Sequence, residues 1–381
     1  MENPLAALQN FASNLNLFKK KGESVLGVDI GSSSIKIVQL RKRRGAAVLE
    51  TYGEIALGPY ADSEIGRATN LSSEKLSEAL DDLSREANVT TKNAGISIPF
   101  SSSLTALIQM PALDKERLAT MIPIEARKYI PVPISEVALD WFVIPDSEAR
   151  FIAGEEQKPE GTGGTFGKVN VLLVAIHNDA LEKYRRIVAA SKLESAFFEI
   201  EIFSTIRAVL DQGVAPIMVL DVGAATTKLY IVEYGIVRMS HIINRGGQDI
   251  TLAISRSLGV PVKKAEEMKR EFGLSERPEN RAALESTSLV LDHMLAEANR
   301  VAVGYQTRFN KNIATAVLTG GGSALRGLKE RAAVALEREV VLADPFAKTE
   351  APAFIEGVLK DVGPSFSVAV GLALRKLQEL A

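Results

Sequence analysis

The sequence predicts an α/β protein of two similar lobes that close on one cleft, and three observations predict it. A strand-turn-strand segment occurs twice in register: aligning Asp29 with Asp221 also aligns Gly31 with Gly223, Ser34 with Thr226 and Lys36 with Lys228. One repeat of about half the chain implies two lobes rather than a solenoid. Apolar strands alternate with segments of helical period around the copies, the pattern of α/β architecture. Finally, 381 residues with 46% hydrophobic content can bury more than one core.

Residues 1–24 read as an N-terminal arm, where Leu5, Leu8, Phe11, Leu15 and Phe18 recur at helical spacing and run into Lys19, Lys20 and Lys21. The pattern suits an amphipathic surface helix, and equally a short helix docked on its own fold or a frayed tail. Lobe 1 spans 25–215. Its first strand, 25–31, passes through Ser32, Ser33 and Ser34 into a second at 35–40, and a third follows at 47–52. Then come a helix at 72–86, a strand at 95–99, a helix at 114–128 and a strand at 137–144, with an inserted α/β subdomain expected over about 92–178. Residues 145–168 carry Gly154, Pro159, Gly161, Gly163, Gly164 and Gly167 among charges and read as a mobile loop. Order returns with a strand at 169–176, a helix at 179–190, a strand at 196–200 and a helix at about 203–211.

Lobe 2 is expected over 216–381. Its hairpin comprises 219–222, the turn Gly223, Ala224, Ala225 and Thr226, a strand to 232, and a return strand after Gly235. Helices at 248–258, 262–272 and 281–308 make a helical subdomain over about 246–312. A strand at 314–318 then runs into Thr319-Gly320-Gly321-Gly322-Ser323, followed by a helix, a strand at 340–342 and a closing helix from 367 to about 380, with turns at Pro345 and Pro364.

Composition excludes several function classes. With 45 basic and 47 acidic residues the net charge is −2, so no chain-wide field favours nucleic acid, and none is expected as a partner. The chain has no cysteine, which removes disulfides, thiolate zinc sites and cysteine nucleophiles. His177, His241 and His293 are too scattered to make a ligand pair. No apolar run of roughly 18–20 residues is seen, so no integral membrane segment is expected and the protein reads as cytoplasmic.

A turn of Gly31, Ser32 and Ser33 can aim backbone N–H groups into one concavity, as an anion cradle requires, and the second turn can do the same. Asp29 and Asp221, each ending the first strand of its lobe, would face one another and suit Mg2+, which takes carboxylates, water and phosphate oxygens. Lys36 would neutralise phosphate charge. A single Asp-x-Gly turn is often only a hairpin; the pair in register is the stronger signal. Gly320, Gly321 and Gly322 offer a platform for a base or ribose, or a plain strand-to-helix turn. Glu266 and Lys269 share a helix face and could bond ribose hydroxyls, or belong to an exposed surface. Glu199 and Glu201, at the strand leading into a crossover helix, are candidates to position an attacking water, or solvated rim carboxylates. Neither a P-loop nor a dinucleotide fingerprint occurs.

These segments resemble the actin, Hsp70 and FtsA superfamily, of ribonuclease H-like fold. Gly27-Val-Asp-Ile-Gly-Ser-Ser-Ser-Ile-Lys36 looks like its first phosphate motif, and Leu220-Asp-Val-Gly-Ala-Ala-Thr-Thr-Lys228 like its second. Leu318-Thr-Gly-Gly-Gly-Ser-Ala-Leu325 is similar to its adenosine motif, and Phe366-Ser-Val-Ala-Val-Gly371 to a connecting segment. Leu17-Phe-Lys-Lys-Lys21, Ile124-Glu-Ala-Arg-Lys-Tyr-Ile-Pro-Val-Pro133 with Asp140-Trp141, Gly246-Gly-Gln-Asp-Ile-Thr251 and Ala265-Glu-Glu-Met-Lys269 narrow the likeness to the PilM family of type IV pilus assembly, from about residue 17 onward.

The resemblance implies an actin-like, duplicated two-lobe fold with a small subdomain inserted as in FtsA. It implies ATP and Mg2+, with Asp29 and Asp221 serving the metal. Gly31, Ser32, Ser33 and Lys36, with Gly223, Ala224, Ala225 and Thr226, would serve phosphates; Gly320, Gly321, Gly322, Glu266 and Lys269 would serve adenosine. It further implies a peptide partner, the cytoplasmic N-terminal tail of the inner-membrane protein PilN, bound near the insert. Contacts with pilus motor ATPases, self-association and slow ATP hydrolysis stay open. The long arm and the glycine-rich stretch depart from the family pattern. The rival reading is an FtsA-like division or membrane scaffold, whose C-terminal amphipathic anchor is not expected here; a sugar kinase lacks a catalytic aspartate in a substrate pocket, and Hsp70 lacks its substrate domain. Fold alone does not choose among these.

Overall fold

The computed structural model describes residues 23–144, 167–211, 213 and 215–379. The expected amphipathic stretch of the arm, and the glycine-rich loop up to residue 166, lie outside the described residues.

In lobe 1, β1 (Ser24–Ile30), β2 (Ser34–Arg43) and β3 (Ala46–Ala56) form an antiparallel meander. β4 (Asn93–Ile98) pairs with β1 in parallel, and β8 (Glu194–Ile200) pairs with β4, giving the order β3-β2-β1-β4-β8. Both faces are covered, so the central strands are nearly continuous apolar runs, as buried parallel strands must be. Leu26, Val28 and Ile30 face Leu76, Leu80 and Leu83 of α1 (Ser73–Glu86) and Ile187 of α3 (Asn178–Ala190). Ser72 caps α1 by accepting from the Lys75 amide at 3.4 Å, so the helix starts where its first free N–H finds a partner.

Lobe 2 repeats the topology with β9 (Ile217–Val222), β10 (Thr227–Glu233), β11 (Ile236–Ile243), β12 (Thr315–Thr319) and β13 (Glu339–Leu342), in the order β11-β10-β9-β12-β13 with the same directions. Helices α5 (Gly247–Leu258), α6 (Val262–Phe272), α7 (Arg281–Phe309) and α8 (Leu328–Leu336) bury Ile250, Ile254, Leu291, Leu295 and Tyr305 against it.

Between β4 and α3 sits the insert. Strand β5 (Ser103–Pro111), β6 (Val137–Val143) and β7 (Lys168–His177) make an antiparallel sheet in the order β5-β7-β6. Helix α2 (Lys115–Ala126), capped by Asp114, covers one face with Leu118, Ile122 and Ala126. Sequence reading assigned no element to β5, although Leu104, Ala106, Ile108 and Met110 alternate along it and only Leu107 interrupts the pattern. The insert therefore begins at β5; the expected start at 92 had swept in β4, which belongs to the lobe 1 sheet.

Two helices join the lobes: α4 (Glu201–Val209) and the closing α10 (Ser367–Glu379), preceded by α9 (Glu356–Val362), which sequence reading did not assign. Helix α10 packs Ala369, Val370 and Ala373 on Val25, Val38 and Leu40 of lobe 1. The chain thus returns to lobe 1, a correction to the expectation that lobe 2 runs to residue 381: the apolar side of β1 and β2 that α1 leaves open needs a cover. A Cβ at Gly371 would overlap the Ser204 carbonyl, so glycine sets how closely α10 crosses α4. Among the described residues one stretch, Ala353–Glu379, is long and apolar enough by length and composition to cross a membrane, though 61% of its most apolar window is buried inside the molecule. It supplies Leu359, Phe366 and Leu377 to the lobe 1 core.

Candidate functional site

The two turns of the repeat meet across one cavity of about 730 Å³. In each, strand register sets a lysine opposite an aspartate, Lys36 against Asp29 and Lys228 against Asp221. Each glycine amide closes its turn at 3.0 Å, Gly31 on the Ser34 carbonyl and Gly223 on that of Thr226. Two further carbonyls of each turn accept backbone hydrogen bonds, from different elements in the two lobes. In lobe 1 the Ser33 and Ser32 carbonyls accept from the Leu57 and Thr69 amides at 2.9 and 2.8 Å. In lobe 2 the Gly223 and Ala224 carbonyls accept from the Gly247 and Gln248 amides, at 2.9 and 3.0 Å, at the N-terminus of α5. A Cβ at Gly246 would overlap the Ala224 carbonyl, which explains a glycine there. The amides of Ser32, Ser33, Ala224 and Ala225 make no backbone hydrogen bond among the described residues and line the cavity, as an anion cradle requires.

β12 ends beside the second turn, with Thr319 opposite Asp221, and carries the chain into Gly320, Gly321 and Gly322 on the cavity wall. Gly320 has φ +81°, and a Cβ would overlap the Asp221 carboxylate. The Gly320 amide and the Thr319 hydroxyl both donate to the Pro364 carbonyl at 2.9 Å, tying this platform to the segment before α10.

The charged groups are not equivalent. Lys36 Nζ donates to Ser34 Oγ at 2.7 Å and lies 3.2 Å from Glu54, its partner on β3. Burial would raise the Glu54 carboxyl, but the Lys36 charge together with hydrogen bonds from Ser34 and Lys36 outweighs it and the pKa is lowered. Lys228 Nζ lies 2.7 Å from Glu201 Oε2 and 3.0 Å from Asp221 Oδ2. Glu201 Oε1 accepts from the Phe100 amide at 2.7 Å. Asp29 Oδ1 accepts from the Ser97 hydroxyl at 3.0 Å. Burial pushes the Asp29 and Glu201 carboxyls up, against the pull of nearby lysines and with the Asp221 charge adding to the rise. The cavity sets four carboxyl groups, Asp29, Glu54, Glu201 and Asp221, against Lys36 and Lys228, a donor set that suits a cation. Among the described residues no group of three or more histidine or carboxylate side chains could hold a metal by itself. Two carboxylates that share a metal with phosphate and water remain compatible with Mg2+.

At the other end of the cavity, Glu266 accepts from Thr251 Oγ1, Lys269 Nζ and Arg270 Nε at 2.6, 2.6 and 2.7 Å. Lys269 also donates to the Gly247 carbonyl at 3.1 Å. Both line the cavity rather than an exposed surface.

Every site residue expected from the sequence lines this cavity except Glu199. Glu199 is buried in β8 and accepts from Ser204, from Arg207 at 2.7 and 2.8 Å and from Arg375 at 2.7 Å. Burial would raise its pKa; Arg207, with Ser204 and Arg375, outweighs this and lowers it. It staples α4 to α10 and is no water-positioning residue, and neither it nor Glu201 is a solvated rim carboxylate. Glu54, Gln248, Arg270 and the 57–72 loop escaped sequence reading. Glu54 was findable only by extending the third strand to pair it with Lys36.

The family model for type IV pilus assembly protein PilM matches residues 27–377. FtsA of Neisseria meningitidis, a cell division protein, is 25% identical over 82% of this chain and 81% of its own length. A chain of a solved PilM–PilN type IV pilus biogenesis complex superposes with TM-score 0.77 at 23% identity, covering 93% of this chain and 98% of that one. The ethanolamine utilization protein EutJ of Carboxydothermus hydrogenoformans superposes with TM-score 0.53 at 16% identity, over 96% of this chain and 98% of its own. The shared fold is the actin-like duplicated two-lobe α/β fold.

Proposed function

As the chain belongs to the type IV pilus assembly protein PilM family, we propose that it is a cytoplasmic ATP-binding adaptor that takes the N-terminal tail of a PilN protein and so links the inner membrane to the pilus machinery. The cleft carries this reading. Two turns, one from each lobe, bring free amides, Asp29, Asp221 and a glycine platform to one cavity whose volume suits a nucleotide. Gly31–Ser33 with Lys36 and Gly223–Thr226 would hold phosphates, Asp29 and Asp221 the Mg2+, and Gly320–Gly322 with Glu266 and Lys269 the nucleoside. Bound there, Mg2+ supplies positive charge against the phosphates.

Since one ligand would grip both lobes, binding favours whichever lobe spacing fits it best, and only that differential affinity moves the equilibrium. The insert grows from lobe 1 beside Phe100, whose amide is held by Glu201 in the cleft. A tail bound near the insert would then read nucleotide state, and the coupling would be reciprocal. The likeness to a chain of a PilM–PilN complex supports the choice of tail. A division or membrane scaffold is the second reading, on the likeness to FtsA.

Calorimetry tests this with ATP and Mg2+ on wild type and Asp29→Ala, then with a PilN N-terminal peptide. The expected outcome is Mg-ATP binding that Asp29→Ala abolishes, and peptide affinity that nucleotide shifts. Peptide binding indifferent to nucleotide leaves a static scaffold; no binding of ATP defeats the reading.

A further inference from the structure

Lys36 and Lys228 occupy one register position of the repeat, yet their ammonium groups go to different places. The residue opposite on the third strand explains this. Lys36 is paired with Glu54 on β3, and its Nζ stays 3.2 Å from that carboxylate. Lys228 is paired with Ile242 on β11, which offers no charge. Its Nζ instead reaches Asp221 at 3.0 Å and Glu201 at 2.7 Å, with the side chain only 16% exposed. Asp221 is one of the two carboxylates that the nucleotide reading gives to a divalent cation.

We propose that Lys228 is a resident cation of the cleft, whose ammonium occupies Asp221 in place of a divalent ion and so sets how strongly nucleotide binding depends on metal. The inference rests on the reading of the cleft as a nucleotide site. An ammonium held between two buried carboxylates offsets their negative charge at the second phosphate turn, where low dielectric strengthens the effect. The same ammonium and a divalent ion compete for the Asp221 carboxylate. Lys36, anchored on Glu54, does not take part in that competition.

Calorimetric titration of the whole chain with ADP, once with Mg2+ and once with EDTA, tests the proposal. Wild type should lose less than about tenfold in affinity on removing Mg2+, whereas Lys228→Met should lose about a hundredfold or more, because nothing then balances the carboxylates except metal. Ile242→Glu places opposite Lys228 the charge that Glu54 places opposite Lys36. It should draw the ammonium off Asp221 and raise metal dependence while the lysine itself stays in the cleft with a new partner, so it gives a second reading if Lys228→Met does not fold. A wild-type dependence of about a hundredfold or more, unchanged by Ile242→Glu, overturns the proposal while leaving the nucleotide reading intact. Failure of wild type to bind ADP in either buffer overturns both.

Discussion

The turn of lobe 1 and the turn of lobe 2 share register, closing hydrogen bond and glycine, but they are held and charged differently. Ser32 and Ser33 are fastened by a loop at Leu57 and Thr69; Gly223 and Ala224 are fastened by the N-terminus of α5. Lys36 lies by the half-exposed Glu54, and Lys228 lies between two buried carboxylates. Duplication preserved the backbone that an anion needs, while residues outside each turn diverged and gave the two lysines unlike work. A motif match between two copies therefore transfers backbone geometry more safely than it transfers side-chain roles.

The largest effect that would sharpen this contrast is on stability. Lys228→Met should cost about 3–5 kcal/mol in urea denaturation, since it strands Asp221 and Glu201 without their cation. A cost near that of Lys36→Met would break the comparison. Glu199→Gln should come next, at about 2 kcal/mol, because Arg207 and Arg375 lose a shared partner but are partly solvated. Its pH dependence has a definite sign. The folded-state pKa lies below the ordinary value of 4.5, so the stabilisation is full above that value and fades as pH falls below it. Chemical denaturation of wild type and Glu199→Gln should thus differ at pH 7 and converge in strong acid.

Lys36→Met should cost no more than about 1 kcal/mol of stability, because Glu54 is 46% exposed and returns to water. Its ATP affinity should nonetheless fall roughly tenfold, the worth of one charged hydrogen bond to phosphate. The smallest effect is expected from making the first turn like the second. Ser32→Ala with Ser33→Ala should change ATP affinity by no more than about threefold, if the amides rather than the hydroxyls carry the anion. A larger loss by calorimetry would show that lobe 1 binds through side chains.

Much of this was legible in the chain. Hairpins are local, so alternating apolar residues around a glycine turn announce β1–β2 and β9–β10, and the glycine positions announce amides free to bind. Strand β5 escaped because Leu107, which meets Ile144 and Ile236, breaks the alternation of Leu104, Ala106, Ile108 and Met110. Glu199 and Glu201 looked alike in sequence, two residues apart where a strand enters a crossover helix, yet they face different neighbours. One meets Arg207 and Arg375; the other meets Lys228 and Phe100. Glu199 lies within β8 whereas Glu201 opens α4, so the change from strand to helix between them sends the two carboxylates to different neighbours.

The repeated Asp-x-Gly turns, the two-lobe plan and the glycine platform follow from spacing alone, since backbone turns depend on their own few residues. The return of α10 to lobe 1 depends instead on which apolar face is left uncovered. The destination of each lysine depends on what stands across the strand, Glu54 or Ile242. Those outcomes are set by contacts between residues far apart in the chain, because the energy of a buried charge is decided by its neighbours in space rather than its neighbours in sequence.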